Sequence, residues 1–262
     1  MSENYVIALF LPADLDVVNL WFAFAIAVLA GLVKGLVGFA MPMILVSGLS
    51  LFLPPEIALA GLIFPTFVTN GMQALRQGAE AAWQSIKRFR IFLLVGLVFL
   101  LFSAQFVRVF PADVMLIVLG TLVTTFALLQ LFGLAIPIRA ATTRVEATVA
   151  AIAGFIGGFS GIWGPPTVAY LTALGTEKKE QMRVQGVIYG LGAVALLVAH
   201  LGSGVMRAET APFSMALVPP AILGMWCGSQ LQDRINQHTF RRATLIVLLI
   251  AGANLLRRGL VM

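Results

Sequence analysis

Charge is scarce in this sequence, and its scarcity argues against a soluble fold. Only 11% of the 262 residues are charged, whereas 60% are hydrophobic and the mean hydropathy is +0.99. A soluble domain typically carries about 25% charged residues. The apolar runs between the charge clusters are long enough to cross a hydrocarbon core of ~30 Å. Composition therefore predicts an all-α, polytopic membrane protein, because only closed barrels and helices satisfy their backbone in lipid.

Cysteine and histidine are nearly absent as well. The single cysteine, Cys227, excludes an intramolecular disulfide, and two histidines give no metal-binding cluster. The apolar runs contain no paired carboxylates, no zinc motif and no serine nucleophile motif, and no ATP-binding loop is present. We therefore expect neither a metal nor another cofactor, and an ATP-driven pump or an intramembrane enzyme is disfavoured.

Ten apolar segments divide the chain, which we interpret as one membrane domain over residues 1–262. The second and seventh are short, since about 12–14 residues reach only ~20 Å, so each is predicted to span incompletely or to re-enter. The segments are residues 17–38, 40–53, 57–75, 89–107, 113–134, 146–161, 164–175, 184–204, 212–232 and 242–257.

The net charge of +6 would suggest nucleic-acid binding in a soluble protein, but here we expect no nucleic-acid partner, because basic loops orient membrane proteins. With the acidic N-terminus outside, most of the basic residues fall on the cytoplasmic side. Arg257 and Arg258 fit this arrangement badly. The positive-inside bias predicts a multi-pass protein with its N-terminus outside.

An internal repeat is the most informative pattern. The chain reads GLVKGLVGFAMP from Gly31 and GFIGGFSGIWGP from Gly154, so three glycines and a proline recur at the same spacing. Each half contributes five segments, an odd number, so residues 17–134 and 140–258 should enter the membrane from opposite sides. Inverted repeats of this kind are typical of secondary transporters, whose substrate site lies at the repeat interface.

Each repeat of the motif ends in a predicted helix break followed by proline, at Gly38–Pro42 and Gly161–Pro165. Proline is accepted in the first helical turn, so each break should start a new helix with free N–H groups and the positive end of a dipole. Two such starts around one cavity would hold an anion without a charged side chain. The alternatives are a purely structural kink and, for the glycines four residues apart, simple packing faces.

Individual polar residues add to these two breaks. Lys34 lies inside an apolar segment, where a charge is costly, so it is either a site residue or a side chain that snorkels to the headgroups. Trp163 either walls the cavity or belongs to an interfacial aromatic belt. Hydroxyls and amides either bind substrate or bridge helices. The candidate substrate-binding residues are Lys34, Gly38, Met41, Pro42, Thr66, Asn70, Gly161, Trp163, Gly164, Pro165, Gln185 and Tyr189.

The run GLVKGLVGFAMPMILVSGLSLFLPPEIALA and its partner GFIGGFSGIWGPPTVAYLTALG resemble the duplicated signature of the sulfite exporter TauE/SafE family. The resemblance covers nearly the whole chain. It departs at Ala40-Met41, where a glycine pair is common, and at Lys34, so the substrate need not be sulfite itself. The resemblance implies a carrier of sulfite, sulfonates or related organic anions in the bacterial cytoplasmic (inner) membrane.

The expected partners are thus a small anionic substrate and the lipid bilayer, and a homodimer is left open. A membrane scaffold remains an alternative function, although a scaffold does not need the duplicated break. The sequence leaves the direction of transport and the energy source undetermined.

Overall fold

A computed structural model describes residues 16–134, 142–231 and 237–261, and these residues form helices and no strand. In the first half, apolar runs bounded by glycine or proline give six α-helices and one short 3-10 helix, Gln105–Arg108. The α-helices are α1 (Val17–Val37), α2 (Met41–Leu49), α3 (Pro55–Leu75), α4 (Ala79–Arg88), α5 (Arg90–Ala104) and α6 (Ala112–Leu131).

The second half contains six α-helices among its described residues. Its helices are α7 (Thr143–Ser160), α8 (Gly164–Ala173), α9 (Lys178–Ser203), α10 (Ala211–Ala216), α11 (Val218–Leu231) and α12 (Gln237–Val261).

Six stretches of the described residues are helical, long and apolar enough to cross a membrane. They are Val17–Val37, Pro55–Leu75, Arg90–Val107, Ala112–Leu131, Lys179–Ser203 and Ala211–Leu231. The short helices α2 and α8, of 9 and 10 residues, rise only about 15 Å and cannot cross alone. The chain is therefore a polytopic helical membrane protein, and the number of ten membrane segments stays a prediction.

Two features of the helix order differ from the sequence-based expectation. Helix α4 was not predicted, because its polar residues interrupt the apolar pattern between two segments. The predicted segment 212–232 is two helices, α10 and α11, which meet just before Pro219 and Pro220. Proline has no N–H to donate, which explains the interruption.

In two helix pairs, the two helices pack closely at glycine residues and run parallel to each other. A Cβ added at Gly31 or Gly35 of α1 would lie 2.1 Å from the Ala221 oxygen or 2.3 Å from the Met225 oxygen of α11. In α7, a Cβ at Gly154 or Gly158 would come equally close to α5. In both pairs, successive contacts advance together along the two helices. The glycines four residues apart are therefore packing faces, as one of the two sequence interpretations held.

The other two extensive pairs run antiparallel. Along α9, Gly186 lies against Ala74 of α3, whereas the later Gly190 lies against the earlier Asn70. Between α6 and α12, Gly120 faces Leu256 and Gly259 faces Asp113. Helices α3 and α9 thus cross the centre of the bundle in opposite directions, side by side.

One end of the bundle is held by a charged cluster that joins α3, α4 and α9. Arg183 donates to Gln77 Oε1 at 2.6 Å and to Ser85 Oγ at 3.0 Å. Arg88 forms an ion pair with Glu180 at 2.6 Å. Arg183 therefore anchors the start of α9 to its neighbours.

Candidate functional site

The first break separates α1 from α2 at two residues with left-handed backbone. Gly38 (φ 84°) ends α1 and donates its N–H to the Lys34 carbonyl at 2.7 Å. Ala40 (φ 76°) precedes α2, and it is the one non-glycine residue with positive φ among the described residues. A left-handed backbone costs an L-residue such as alanine on the order of 1–3 kcal/mol. This cost is a physical reason to expect glycine where this chain has Ala40.

The second break separates α7 from α8 in the same way. Gly161 (φ 71°) ends α7 and donates its N–H to the Gly157 carbonyl at 2.8 Å. The Ser160 hydroxyl accepts the Ile162 N–H at 3.1 Å, and the Thr167 hydroxyl donates to the Trp163 carbonyl at 2.9 Å. These side-chain bonds satisfy backbone groups that the helices leave free.

Both breaks line one small cavity, which α3 and α9 complete. It is mostly apolar and has room for about one water molecule. Its lining residues are Lys34, Phe39, Ala40, Pro42, Met43, Asn70, Ile162, Trp163, Gly164 and Tyr189. Six of the predicted site residues are thus brought together: Lys34, Pro42, Asn70, Trp163, Gly164 and Tyr189.

Lys34 lies inside the protein, with 2% of its surface exposed. Its Nζ donates to Asn70 Oδ1 in the neighbouring α3. The side chain therefore does not reach the membrane surface, and the role of Lys34 as a site residue stays a prediction. Neither an aspartate nor a glutamate lines the cavity. The ammonium group is held by a neutral amide instead of a carboxylate.

Three polar atoms at or beside the cavity are buried and have no hydrogen-bond partner within the described structure. They are Asn70 Nδ2, Trp163 Nε1 and Gln185 Oε1. An unpaired buried polar group costs roughly 1–3 kcal/mol, so each needs an explanation. Two of the three are N–H donors, and they belong to Asn70 and Trp163, which line the cavity together with Lys34. The Tyr189 hydroxyl, by contrast, already donates to the Gly164 carbonyl at 3.3 Å.

The other predicted residues lie around the cavity but not in its lining. The Thr66 hydroxyl donates to two carbonyls of its own helix, those of Leu62 and Ile63, at 2.6 and 2.9 Å. The Met41 sulfur accepts the Thr69 hydroxyl at 3.3 Å. The remaining members of this group are Gly38, Gly161 and Gln185. The side chain of Pro165 lies outside the described residues.

Sequence reasoning missed Gln73, which joins the first break to the second half of the chain. Its Nε2 donates to the Gly38 carbonyl at 3.1 Å and to the Met182 carbonyl at 2.8 Å. A signal was available, because Thr66, Asn70 and Gln73 share one face of α3 at helical spacing. Phe39, Ala40, Met43 and Ile162 were also missed, although they lie within or beside the predicted breaks.

The described residues form an all-helical bundle with six candidate membrane spans, closed around a buried cavity at two helix breaks. This architecture defines a multi-pass membrane protein. The profile of the family described as Sulfite exporter TauE/SafE matches residues 23–255. The chain belongs to the sulfite exporter TauE/SafE family, as its repeated motif indicated, and its general function is therefore membrane transport. No curated protein and no solved structure matches the chain.

Proposed function

We propose that this protein is a secondary transporter that carries small sulfur-containing anions, such as sulfite or sulfonates, across the cytoplasmic membrane by alternating access. The observation that supports the proposal is a cavity lined by a buried lysine, by no carboxylate, and by two residues, Asn70 and Trp163, that carry unpaired N–H donors. A bound oxyanion would supply the missing negative charge and the missing acceptors together.

The donor set suits the oxygens of a sulfur oxyanion. The Lys34 ammonium, Asn70 Nδ2 and Trp163 Nε1 come from three different elements and each can donate to a separate oxygen. The first N–H groups of α2 and α8 add positive dipole ends. Proline removes some of these N–H groups at 42, 165 and 166, so side chains carry more of the binding than the sequence alone suggested.

The helix directions support two inverted repeats, residues 17–134 and 140–258. On the repeat spacing, α3 matches α9 and α6 matches α12, and both matched pairs run antiparallel. Each parallel pair joins one helix from each half. Helix α1 packs on α11. On the repeat spacing α7 corresponds to α1 and α5 corresponds to α11, and α7 packs on α5 in the same way. Such an arrangement is expected when one half is turned over in the membrane relative to the other.

The depth of the cavity along α9 supports alternating access. Tyr189 lies ten positions after Lys179 in α9, about 15 Å along the helix, which is half of a ~30 Å hydrocarbon core. With room for about one water molecule, the cavity must widen before an anion of several heavy atoms enters. Separation of α2 or α8 from the central helices would open it toward one side at a time.

Three finer features complete the proposal and follow from charge placement and family membership. The protein lies in the inner membrane, its N-terminus is outside, and the charged cluster of α4 and α9 faces the cytoplasm. A homodimer is compatible with the fold.

A substrate panel tests this function. The protein is reconstituted in proteoliposomes, and uptake is measured for radiolabelled sulfite, a sulfonate, a carboxylate of similar size and chloride. We expect saturable uptake of a sulfur oxyanion that excess unlabelled substrate inhibits. Uptake of none of the sulfur anions, or equal uptake of chloride, would contradict the proposal.

A further inference from the structure

A second, larger space lies on the membrane-facing side of the bundle, between α5, α7 and α9. It is an apolar groove of about 420 Å³. We call it the lateral groove. Its outer rim consists of exposed side chains on two candidate membrane spans, and Trp163 and Thr167 form its floor. The rim residues are Leu94, Leu97, Leu101, Leu191, Val194 and Val198.

The rim of the lateral groove on α5 ends in a positive charge. Arg90, Leu94, Leu97 and Leu101 follow one another at helical spacing and therefore share one face of α5. Arg90 is exposed at the first turn of that helix. Eleven positions separate Arg90 from Leu101, about 16 Å, which matches the hydrocarbon of one leaflet, half of ~30 Å.

The charges around Arg90 are mixed, and the Arg90 side chain is exposed. Glu146 is the nearby acid, and its Oε1 accepts the Phe92 N–H at 3.1 Å, so it caps the first turn of α5. Arg88 is paired with Glu180. Lys87 lies 5.5 Å from the ring of the exposed Trp83 and adds further positive charge at the same end.

We propose that the lateral groove binds one acyl chain of an anionic phospholipid, with the lipid phosphate at Arg90 and the chain against Trp163. The groove is apolar, opens between membrane-spanning helices, has the length of one leaflet and carries a cation at its headgroup end. Trp163 lines both the lateral groove and the central cavity, so the lipid chain forms the outer support of the cavity wall. This inference rests on the membrane fold and is independent of the transported substrate.

Quenching of Trp163 fluorescence tests the acyl-chain part. The tryptophans at 21, 83 and 226 are replaced by phenylalanine, and the protein is placed in bilayers of phosphatidylglycerol with brominated acyl chains. We expect strong quenching of Trp163. Val194→Phe, at a half-exposed rim position, should fill the groove and cause a loss of that quenching. Leu223→Phe, at an exposed position of α11 outside the groove, should leave it unchanged.

The headgroup part is tested by comparing brominated phosphatidylglycerol with brominated phosphatidylcholine in mixed bilayers. We expect a preference of about five-fold for phosphatidylglycerol, from about one basic residue at the membrane surface, and its loss in Arg90→Gln. A thermal unfolding scan of each variant ensures that folded proteins are compared.

Equal quenching in the folded Val194→Phe variant and its parent overturns the groove assignment. Equal quenching by both lipids in the parent overturns the role of Arg90. If the protein forms a dimer that buries Val194 and Trp163 is not quenched, the groove binds a second copy of the protein and the lipid proposal is overturned.

Discussion

Lys34 and Asn70 form the polar centre of the cavity, and their pairing has a direct chemical consequence. The Lys34 Nζ donates to a neutral amide oxygen, and neither an aspartate nor a glutamate lines the cavity to balance a positive charge there. A buried charge is tolerated only when it is paired or hydrogen-bonded. An anion that enters the cavity therefore gains most from this residue.

Replacement of Lys34 by Met tests that role. Methionine is unbranched and only one heavy atom shorter than lysine, so the protein should fold. Substrate affinity should fall about ten-fold or more with the loss of a charge-assisted hydrogen bond of ~1.5–3 kcal/mol. Isothermal titration with sulfite in detergent measures the affinity, and thermal unfolding reports on folding. Lys179→Met, at an exposed position, is the matched charge control and should be silent. Unchanged affinity in a folded Lys34→Met variant would make Lys34 a structural residue.

Gly164 provides a steric test of the same cavity. A Cβ at this position would lie 3.8 Å from Tyr189 Oη and 4.0 Å from Phe39 Cδ2, which are ordinary contacts. Gly164→Ala should therefore fold normally and yet reduce uptake, because the methyl group takes space that the substrate needs. Met115→Leu, a volume-conserving change at a buried position of α6, should have little effect on uptake. Normal uptake by Gly164→Ala would place the substrate elsewhere.

At the level of single residues, the sequence predicted the two helix breaks better than the hydrogen-bond partners of the polar side chains. Glycine and proline are local signals, because each fixes or frees the backbone at its own position. The partners of Asn70, Gln73 and Gln185 depend instead on which helices meet. For that reason Asn70 was a candidate with two open roles, and Gln73 was not a candidate at all.

Helix pairs in this protein are brought together by backbone proximity more than by large side chains. The faces of α1 and α11, and of α5 and α7, meet through glycines that place carbonyl oxygens of one helix where a Cβ of the other would be. Lipid is as apolar as the protein interior, so close packing replaces the hydrophobic effect between these helices. The bundle is therefore sensitive to single methyl groups along these faces.

Gly158→Ala tests this packing. The new Cβ would lie 2.1 Å from the Leu100 carbonyl oxygen, so α5 and α7 must separate. We expect a destabilisation of at least 1–3 kcal/mol, as for other overpacked interiors, seen as a lower unfolding temperature in detergent. Gly71→Ala in α3 is the matched control, because nothing lies within 4 Å of its Cβ. The control should be neutral or slightly stabilising by helix propensity. Equal stability of the two variants would contradict the packing argument.

The helices themselves were largely predictable, since long apolar runs between charges have few other solutions in lipid. Helix α4 was the exception. It mixes polar and apolar residues over only ten positions, and its place is set by the bonds of Arg183 and Glu180 of α9 to Gln77, Ser85 and Arg88. These contacts are distant in sequence and leave no local pattern.

At the scale of the whole molecule, the central helices α3 and α9 lie antiparallel against each other. The motif at Gly31 and Gly154 predicts an inverted repeat, because five segments per half would reverse the second half, and the repeat itself stays a proposal. The sequence alone did not reveal which helices pair across the halves. That pairing depends on which glycine-containing helix faces pack together in the folded protein.

Sidedness is tested by cysteine labelling. In a Cys227→Ser background, cysteines at Gln77 and Lys179 should react with a membrane-impermeant maleimide only from the cytoplasm, and a cysteine at Ala208 only from outside. The charged cluster contains the first two positions, whereas Ala208 follows α9 at the opposite end. Labelling in intact cells and in inverted vesicles distinguishes the two sides. The reverse pattern would overturn the positive-inside argument.

The paired prolines after the second break also bear on how such a molecule can move. A continuous helix through α7 and α8 would carry Pro165 and Pro166 in its interior, at a cost of about 3 kcal/mol each. The break between Gly161 and Gly164 is therefore expected to persist when the protein changes conformation. On the proposed alternating access, the short helix α8 would tilt or slide as one rigid piece on its loop, with the left-handed Gly161 as the hinge.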